Sequence, residues 1–218
     1  MIYLNMKKVI KKILGRLLKY SDLRTIVQTY PAVKSVEQFI ENCPDLTDKM
    51  VSLDLGCGDN PQNPFMCYKV LGIDIRNDFD DDRIIVTDLF RTALPFPDES
   101  ISVITAHDFI EHVPRYNQGN GGETHFPFVL LMSEIYRVLK KGGVFFSRTP
   151  AYPATQVFQD PTHLNIITEE TFPAYFCDHF WNGEINPPLA KMYGFEGQFK
   201  LEQQKWCHHW LLTLLRKV

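Results

Sequence analysis

The stretch Val51-Ser52-Leu53-Asp54-Leu55-Gly56-Cys57-Gly58 decides the fold of this chain. Five mostly apolar residues predict a short buried strand, and a Gly-x-Gly turn follows it directly. Glycine lets the backbone turn sharply and approach a ligand closely, as the first turn of a nucleotide-binding α/β fold requires. A single Gly-x-Gly is weak evidence, so its interpretation depends on the neighbouring segments.

Short apolar runs alternate with polar or helix-compatible segments after this strand, which is typical of a parallel α/β sheet. A helix over Phe128–Lys140 is expected to stop at Gly142 and Gly143, with the next strand beginning at once. The predicted strands are Val51–Leu55, Lys69–Asp74, Arg83–Val86, Ile101–Thr105, Gly143–Arg148, Phe199–Trp206 and Trp210–Leu215.

The charges around the glycine turn indicate the kind of ligand. Asp74 ends the second predicted strand, where a doubly wound fold places a carboxylate against ribose hydroxyls. The third glycine of a dinucleotide motif would fall at Pro61, and Asp54 and Asp59 would repel a pyrophosphate. The turn therefore favours a cationic nucleoside without phosphates.

Six motifs in order resemble those of the class I S-adenosylmethionine-dependent methyltransferases, in particular the type 11 and type 23 families. The resemblance spans about residues 50 to 150, and Asn60 departs from it because many relatives carry a glycine there. The motifs are Asp54-Leu55-Gly56-Cys57-Gly58, Gly72-Ile73-Asp74, Thr87-Asp88-Leu89, Leu94-Pro95-Phe96, Glu111-His112-Val113 and Arg137-Val138-Leu139-Lys140-Lys141-Gly142-Gly143.

The resemblance implies a Rossmann-like, doubly wound α/β fold: a mostly parallel seven-stranded sheet with helices on both faces and an antiparallel last strand. It also implies S-adenosylmethionine as cofactor, with Gly56 and Gly58 near its methionine part, Asp74 on the ribose, and Asp88 with the Leu89 amide on the adenine. A helix cap or turn is the alternative role for Asp88, and a water-facing strand end for Asp74. The full predicted cofactor set is Asp54, Gly56, Cys57, Gly58, Asp74, Ile75, Asp88, Leu89 and His107.

Three histidines are candidates for a general base, which methyl transfer requires only for weak nucleophiles such as alcohols. His163 is preferred because it follows the fifth strand on the side where open α/β sheets bind ligands, and Asp160 would orient its ring. A loop histidine that bonds the backbone is an equal alternative for His163. His107 and His112 are the other candidates, although His112 would more commonly cap or pack a turn.

No metal site is predicted. The acidic run Asp78, Asp80, Asp81 and Asp82 is interpreted as a solvated loop, and five scattered cysteines include no Cys-x-x-Cys pair. The net charge of −3 argues against a nucleic-acid partner.

Two segments are expected along the 218 residues. Residues 1–48 form an N-terminal helical segment that packs on the domain, and residues 49–218 form the methyltransferase domain, with substrate-side elements at about 114–127 and 150–198. Residues 6–20 predict a basic amphipathic helix, for which packing on the domain and peripheral contact with a membrane both stay open. The expected location is the cytoplasm, with peripheral contact at the inner face of the membrane as the alternative.

The acceptor is expected to be a sugar hydroxyl in surface polysaccharide or glycan biosynthesis. This expectation comes from family analogy, because Asp160-Pro161-Thr162-His163-Leu164-Asn165 and Thr168-Glu169-Glu170-Thr171-Phe172 resemble segments of such enzymes. A small-molecule metabolite methyltransferase and a non-catalytic S-adenosylmethionine-binding assembly partner are the alternatives.

Overall fold

The computed structural model describes residues 32–44, 46, 49–78, 80–119 and 122–218, so the predicted helix over residues 6–20 lies outside the described residues. A central sheet organises the described chain. Its seven strands are β1 (Val51–Leu55), β2 (Lys69–Asp74), β3 (Ile84–Val86), β4 (Ile101–His107), β5 (Leu139–Pro150), β6 (Phe199–Cys207) and β7 (Trp210–Lys217).

The strand order across the sheet is β6-β7-β5-β4-β1-β2-β3. The strands β3, β2, β1, β4 and β5 run parallel to one another. β7 runs antiparallel to β5, and β6 runs antiparallel to β7. The predicted Rossmann-like, mostly parallel seven-stranded sheet with its antiparallel last strand is confirmed.

Helices cover both faces of the sheet, as predicted. Successive side chains of a strand point to opposite faces, and Phe145 and Phe146 of β5 accordingly belong to two different apolar clusters. The first cluster includes Phe128 of helix α2 (Pro127–Val138) and Phe172 of helix α3 (Thr171–Phe176). The second includes Phe39 of helix α1 (Val36–Glu41), which packs 5.5 Å from the ring of Phe146. The predicted boundary at residue 48 stays a prediction.

The predicted end of the helix before β5 is wrong. The helix ends at Val138, and β5 begins at Leu139 and contains both Gly142 and Gly143. A Cβ at Gly143 would lie 2.9 Å from the carbonyl oxygens of Lys140 and Ser102, and Gly142 has a φ of +76°. The glycines therefore serve a bulge where the register between β4 and β5 shifts, and they do not end a helix.

The motif Leu94-Pro95-Phe96 is tied to helix α2 by Arg137. The guanidinium donates to the carbonyl oxygen of Phe96 over 2.9 Å and to that of Leu94 over 3.0 Å. Glu134 accepts a hydrogen bond from the amide of Leu94 over 2.9 Å and forms an ion pair with Arg137. Two of the six motifs thus have a structural role in attaching the chain before β4 to α2.

Among the described helices, none combines the length and the apolar character needed to span a bilayer.

Candidate active site

A cleft of about 590 Å³ opens at the carboxyl ends of the parallel strands, where open α/β sheets bind their ligands. Five of the nine predicted cofactor residues line it: Gly56, Asp74, Ile75, Asp88 and Leu89. The remaining lining residues come from four segments, namely Ile73; Thr87 and Phe90; Asp108, Phe109 and His112; and Pro161, Thr162 and Leu164.

The glycine turn after β1 is shaped for close packing. Gly56 has a φ of +64°, and a Cβ there would lie 2.4 Å from Cδ2 of Phe109, so no larger residue fits without displacement. The amide of Cys57 donates to the carbonyl oxygen of Ile73 over 3.0 Å. The amide of Gly58 donates to Oδ2 of Asp74 over 2.9 Å. The turn is therefore fastened to the end of β2.

Asp74 is held as a carboxylate in the wall of the cleft. Burial raises the pKa of this carboxyl, but hydrogen bonds from Arg76 and from the Gly58 amide outweigh burial, so the pKa lies below its usual range. The amide and the side-chain Nε of Arg76 donate to Oδ1 over 3.0 and 3.1 Å. An ionised carboxylate at this place can accept hydrogen bonds from vicinal hydroxyls, as the predicted ribose contact requires.

Asp88 forms a turn and also lines the cleft, and its contact with the adenine stays a prediction. Its Oδ1 accepts a hydrogen bond from the amide of Phe90 over 3.0 Å, and its carbonyl oxygen accepts from the amides of Arg91 and Thr92. These bonds fix the turn after β3 and leave Asp88 and Leu89 on the wall of the cleft.

Three carboxylates line the cleft, and each forms an ion pair with an arginine outside the lining. Asp74 pairs with Arg76, Asp88 with Arg91 and Asp108 with Arg148. Among the described residues that line the cleft there is no lysine or arginine, so the lining offers no basic side chain to bind a pyrophosphate. The volume lies within the range of small-molecule sites, roughly 300–1,000 Å³. Acidic lining, glycine turn and volume together fit S-adenosylmethionine.

Asp54 stabilises the glycine turn from a buried position outside the cleft. It is 1% exposed, and its two oxygens accept from the hydroxyl of Thr105 over 2.7 Å and the amide of Gln62 over 2.8 Å. Burial raises the pKa of this carboxyl to about 6. Cys57 and Gly58 also lie outside the residues that line the cleft, and burial raises the pKa of the Cys57 thiol to about 12.

His107 lies apart from the other candidates. Its ring packs 5.5 Å from that of Phe146, and its Nε2 is buried without a hydrogen-bond partner in the described part of the chain. Burial lowers the pKa of His107 to about 4. The ring faces the apolar cluster around Phe146, so the structure does not bring His107 together with the predicted cofactor residues.

A second cavity of about 570 Å³ adjoins the cleft and shares Asp108, His112 and Pro161 with it. Asp108 has a φ of +49°, a strained backbone that is common at functional sites. Its Oδ1 accepts from the indole of Trp210 over 2.6 Å, and its Oδ2 forms an ion pair with Arg148. Sequence reasoning missed Asp108 as a site residue, because its partners lie 40 and 102 positions away.

His112 and His163 meet beside this second cavity, with ring centroids 4.9 Å apart. The predicted partnership of Asp160 with His163 is corrected by the hydrogen bonds. Nδ1 of His163 lies 3.1 Å from the carbonyl oxygen of Val157, whereas Oδ1 of Asp160 accepts from the hydroxyl of Thr162 over 2.7 Å. That hydroxyl oxygen lies 3.0 Å from Nδ1 of His112. Asp160 therefore orients His112, through Thr162.

The segment that carries His163 is fastened to the end of β4. The amides of Leu164 and Asn165 both donate to the carbonyl oxygen of Glu111 over 2.8 Å. The side-chain amide of Asn165 donates to the carbonyl oxygen of Ile110 over 3.2 Å. These bonds give the segment Asp160–Asn165 its place at the mouth of both cavities.

Residues 53–147 match the family model of a methyltransferase domain. No curated protein matches the chain. Among solved structures, a Bacillus halodurans protein described as a methyltransferase is 17% identical, with 78% of this chain and 71% of that chain covered and a TM-score of 0.51. The complex of the Haloferax volcanii Trm112 activator with a methyltransferase is 14% identical, with 83% and 87% covered and a TM-score of 0.50. The [4+2]-cyclase SpnF is 13% identical, with 88% and 87% covered and a TM-score of 0.51.

The solved structures share the fold, and the family model matches the segment that carries the glycine turn, Asp74, Asp88 and the start of the second cavity. Residues 53–147 therefore form a methyltransferase domain with the Rossmann-like fold of these solved structures, and the protein is an S-adenosylmethionine-dependent methyltransferase with S-adenosylmethionine as its cofactor.

Proposed function

We propose that this methyltransferase transfers its methyl group to a sugar hydroxyl, in the biosynthesis of a surface polysaccharide or another glycan. The observation that carries the proposal is the second cavity, which joins the cofactor cleft at Asp108, His112 and Pro161. An acceptor held there would lie next to the cofactor. The site assignments for His112, His163 and the cofactor residues are part of the same proposal.

The lining of the second cavity suits a hydroxyl-rich acceptor. Gln156, Gln159, Asp160 and His163 all contribute donors or acceptors of hydrogen bonds. A saccharide presents many hydroxyls, and each one buried needs a partner of this kind. The polar lining therefore supports a sugar over an apolar acceptor.

The chemistry is an in-line displacement. A lone pair of the acceptor oxygen attacks the methyl carbon, the carbon–sulfur bond breaks, and S-adenosylhomocysteine leaves with that electron pair. The hydroxyl proton must also leave, because a neutral alcohol is a weak nucleophile. His112 lines both cavities and lies beside His163, so we propose that an imidazole of this pair accepts the hydroxyl proton.

A third cavity supports the rival acceptor, an apolar small-molecule metabolite. It has a volume of about 440 Å³ and an aromatic lining that includes Tyr116, Phe126, Tyr175 and Tyr193. It shares no lining residue with the cofactor cleft, whereas the polar cavity shares three. The polar cavity is therefore the better placed for the reaction, and the apolar metabolite is the second candidate.

The SpnF cyclase has the same fold and is named for a different reaction, so the fold alone does not establish methyl transfer. A non-catalytic protein that binds S-adenosylmethionine as an assembly partner is therefore an outcome that the experiment must separate. A cytoplasmic location, with or without contact at the inner face of a membrane, belongs to the same proposal.

The test incubates the purified protein with S-adenosylmethionine labelled on its methyl group and with nucleotide sugars, lipid-linked glycans and a fractionated cell extract. We expect the label on a sugar oxygen, identified by mass spectrometry. Gln159→Ala, which changes the polar cavity alone, is expected to weaken acceptor use, and Tyr175→Ala in the aromatic cavity is the matched control. Label on an apolar metabolite that is lost in Tyr175→Ala would support the rival, and tight cofactor binding without any labelled product would contradict both.

A further inference from the structure

Three side chains at the junction of the two cavities form a cluster of metal-ligand type. Glu111, His112 and His163 each offer one ligand atom, and these atoms lie within 4.8 Å of one another. Glu111 and His112 follow β4 directly, and the segment Asp160–Asn165 brings in His163 through its bonds to the carbonyl oxygen of Glu111. We propose that Glu111, His112 and His163 bind a divalent transition-metal ion at this junction.

The carboxylate of Glu111 is buried and only half paired. The residue is 1% exposed, and its Oε2 accepts from the hydroxyl of Thr149 over 2.6 Å. Its Oε1 is buried and has no hydrogen-bond partner among the described residues. An unpaired carboxylate oxygen in the interior is costly, and a bound cation supplies the missing partner.

The hydrogen bonds of the two histidines determine their tautomers. The carbonyl oxygen of Val157 can only accept, so Nδ1 of His163 carries the proton. The hydroxyl of Thr162 has one proton, and it goes to Asp160, so Nδ1 of His112 must donate to the hydroxyl oxygen. In the neutral form of each ring this leaves Nε2 without a proton, so Nε2 is the nitrogen that can bind a metal ion.

Each of the three candidate ligands also has the supporting bond that metal ligands usually have. A ligating histidine donates its other N–H to a carbonyl or a carboxylate network, and a ligating carboxylate is itself hydrogen-bonded. His163 is hydrogen-bonded to the carbonyl oxygen of Val157, and Glu111 accepts from the hydroxyl of Thr149. His112 is hydrogen-bonded to the hydroxyl of Thr162, which in turn donates to Asp160. Two histidines that met only through side-chain packing would not need a hydrogen bond on each ring and on the neighbouring carboxylate.

The chemistry of the ligands selects the ion. Two imidazoles and one carboxylate suit Zn²⁺, Co²⁺ or Fe²⁺, whereas Mg²⁺ and Ca²⁺ prefer oxygen ligands. Ligands at about 2.1 Å from a tetrahedral ion lie roughly 3.4 Å apart, so the side chains would draw together when the ion binds. Three protein ligands leave further coordination positions open, as catalytic metal sites do.

The use of the ion rests on the proposed function, although its binding does not. A sugar hydroxyl bound at an open position loses its proton to solvent water more readily, because the ion stabilises the alkoxide. The alkoxide oxygen then forms the bond to the methyl carbon while the carbon–sulfur bond breaks. His112 and His163 assist ionisation as ligands in this arrangement, and they do not take the proton themselves.

The test titrates metal-free full-length protein with Co²⁺ and follows its visible absorption, without any saccharide present. We expect one Co²⁺ per chain, displaced by Zn²⁺. Glu111→Gln and His163→Asn should each weaken the affinity about tenfold or more, and Thr162→Val, which removes the support of His112, about 10- to 100-fold. His209→Asn is the matched control, since His209 lines the same cavity outside the cluster.

Far-ultraviolet circular dichroism and the midpoint of thermal unfolding, measured for every variant, report that the fold is retained. Cofactor affinity is unsuitable for this purpose because Thr162 lines the cofactor cleft. Absence of Co²⁺ binding to the wild-type protein would overturn the site, and so would binding that is unchanged in properly folded Glu111→Gln and His163→Asn. Saccharide methylation by a metal-free protein would overturn the use of the ion and leave the proposed function standing. One Co²⁺ per chain that depends on Glu111 and His163 supports the site even if no saccharide is methylated.

Discussion

The hydroxyl oxygen of Thr162 lies 3.0 Å from Nδ1 of His112, and the same hydroxyl donates to Asp160 over 2.7 Å. This pair of bonds sets which nitrogen of His112 carries a proton. Asp160 accepts a second hydrogen bond from the amide of Thr162 over 2.8 Å, so the arrangement is fixed at both ends. The orientation of His112 therefore depends on a residue 50 positions away in the sequence.

Replacement of Thr162 by valine keeps the shape of the side chain and removes the hydroxyl. We expect His112 to lose its preference for the Nδ1-protonated form, because its acceptor is gone. Nitrogen-15 NMR of the imidazoles measures the tautomer directly. Thr162→Ser retains a hydroxyl and should behave as the wild type, and an unchanged His112 spectrum in Thr162→Val would contradict the arrangement.

Gly56→Ala should destabilise the protein and impair cofactor binding. The new Cβ meets Phe109 at 2.4 Å and the backbone has a φ of +64°, so strain and overpacking both apply. Together they should lower the free energy of unfolding by about 2–4 kcal/mol. Urea denaturation and a titration with S-adenosylhomocysteine provide the measurements.

Gly183→Ala separates the two effects in that experiment. Gly183 has a φ of +87°, but a Cβ there would meet nothing within 4 Å, so only the backbone strain remains, about 1 kcal/mol. Equal decreases in the free energy of unfolding in Gly56→Ala and Gly183→Ala would show that the contact with Phe109 does not destabilise Gly56→Ala.

Partly buried His107 should make the free energy of unfolding depend on pH. Burial lowers its pKa to about 4, so the folded protein keeps the ring neutral while the unfolded chain protonates it near its usual pKa of 6.5. His107 contributes up to about 3 kcal/mol to the free energy of unfolding. This contribution is complete above pH 6.5 and is lost as the pH falls towards 4.

Unfolding free energies of the wild type and His107→Leu at pH 7 and pH 5 measure this effect. The loss between the two pH values should be about 2 kcal/mol smaller in the variant. His125→Gln, at an exposed position, is the control and should leave the loss unchanged. If the free energy of unfolding falls between pH 7 and pH 5 by as much in His107→Leu as in the wild type, other groups cause the pH dependence.

The strands and the cofactor wall could be predicted from the sequence because their signals are local. β1 and β2 have the predicted bounds, since short apolar runs between turn residues are what doubly buried strands require. Asp74 and Asp88 follow neighbouring parallel strands, and the carboxyl ends of such strands share one edge of the sheet. Their meeting in one cleft follows from topology alone.

The rest of the site depends on contacts that are distant in the sequence. Asp160 is three positions from His163, so the sequence suggests that these two residues interact. In the structure Asp160 accepts a hydrogen bond from the hydroxyl of Thr162, and that hydroxyl contacts His112. His107 is the last residue of β4, and adjacent residues of a strand point to opposite faces of the sheet. The face that His107 occupies is known only from its contact with Phe146, which is distant in the sequence. The metal-ligand character of Glu111 becomes visible only when His163 is placed beside it.

The most direct test of the central claim is the affinity of the purified protein for S-adenosylmethionine, by isothermal titration calorimetry, in the wild type and in Asp74→Ala. Loss of a carboxylate that binds the ribose should weaken binding about tenfold or more. Asp78→Ala, an exposed carboxylate on the loop after β2, is the matched control and should bind like the wild type. Saturable binding that is lost in Asp74→Ala and kept in Asp78→Ala is the predicted result. Absence of binding to the wild type would show that the cleft does not hold S-adenosylmethionine, and equal affinity in Asp74→Ala would show that Asp74 does not bind the ribose.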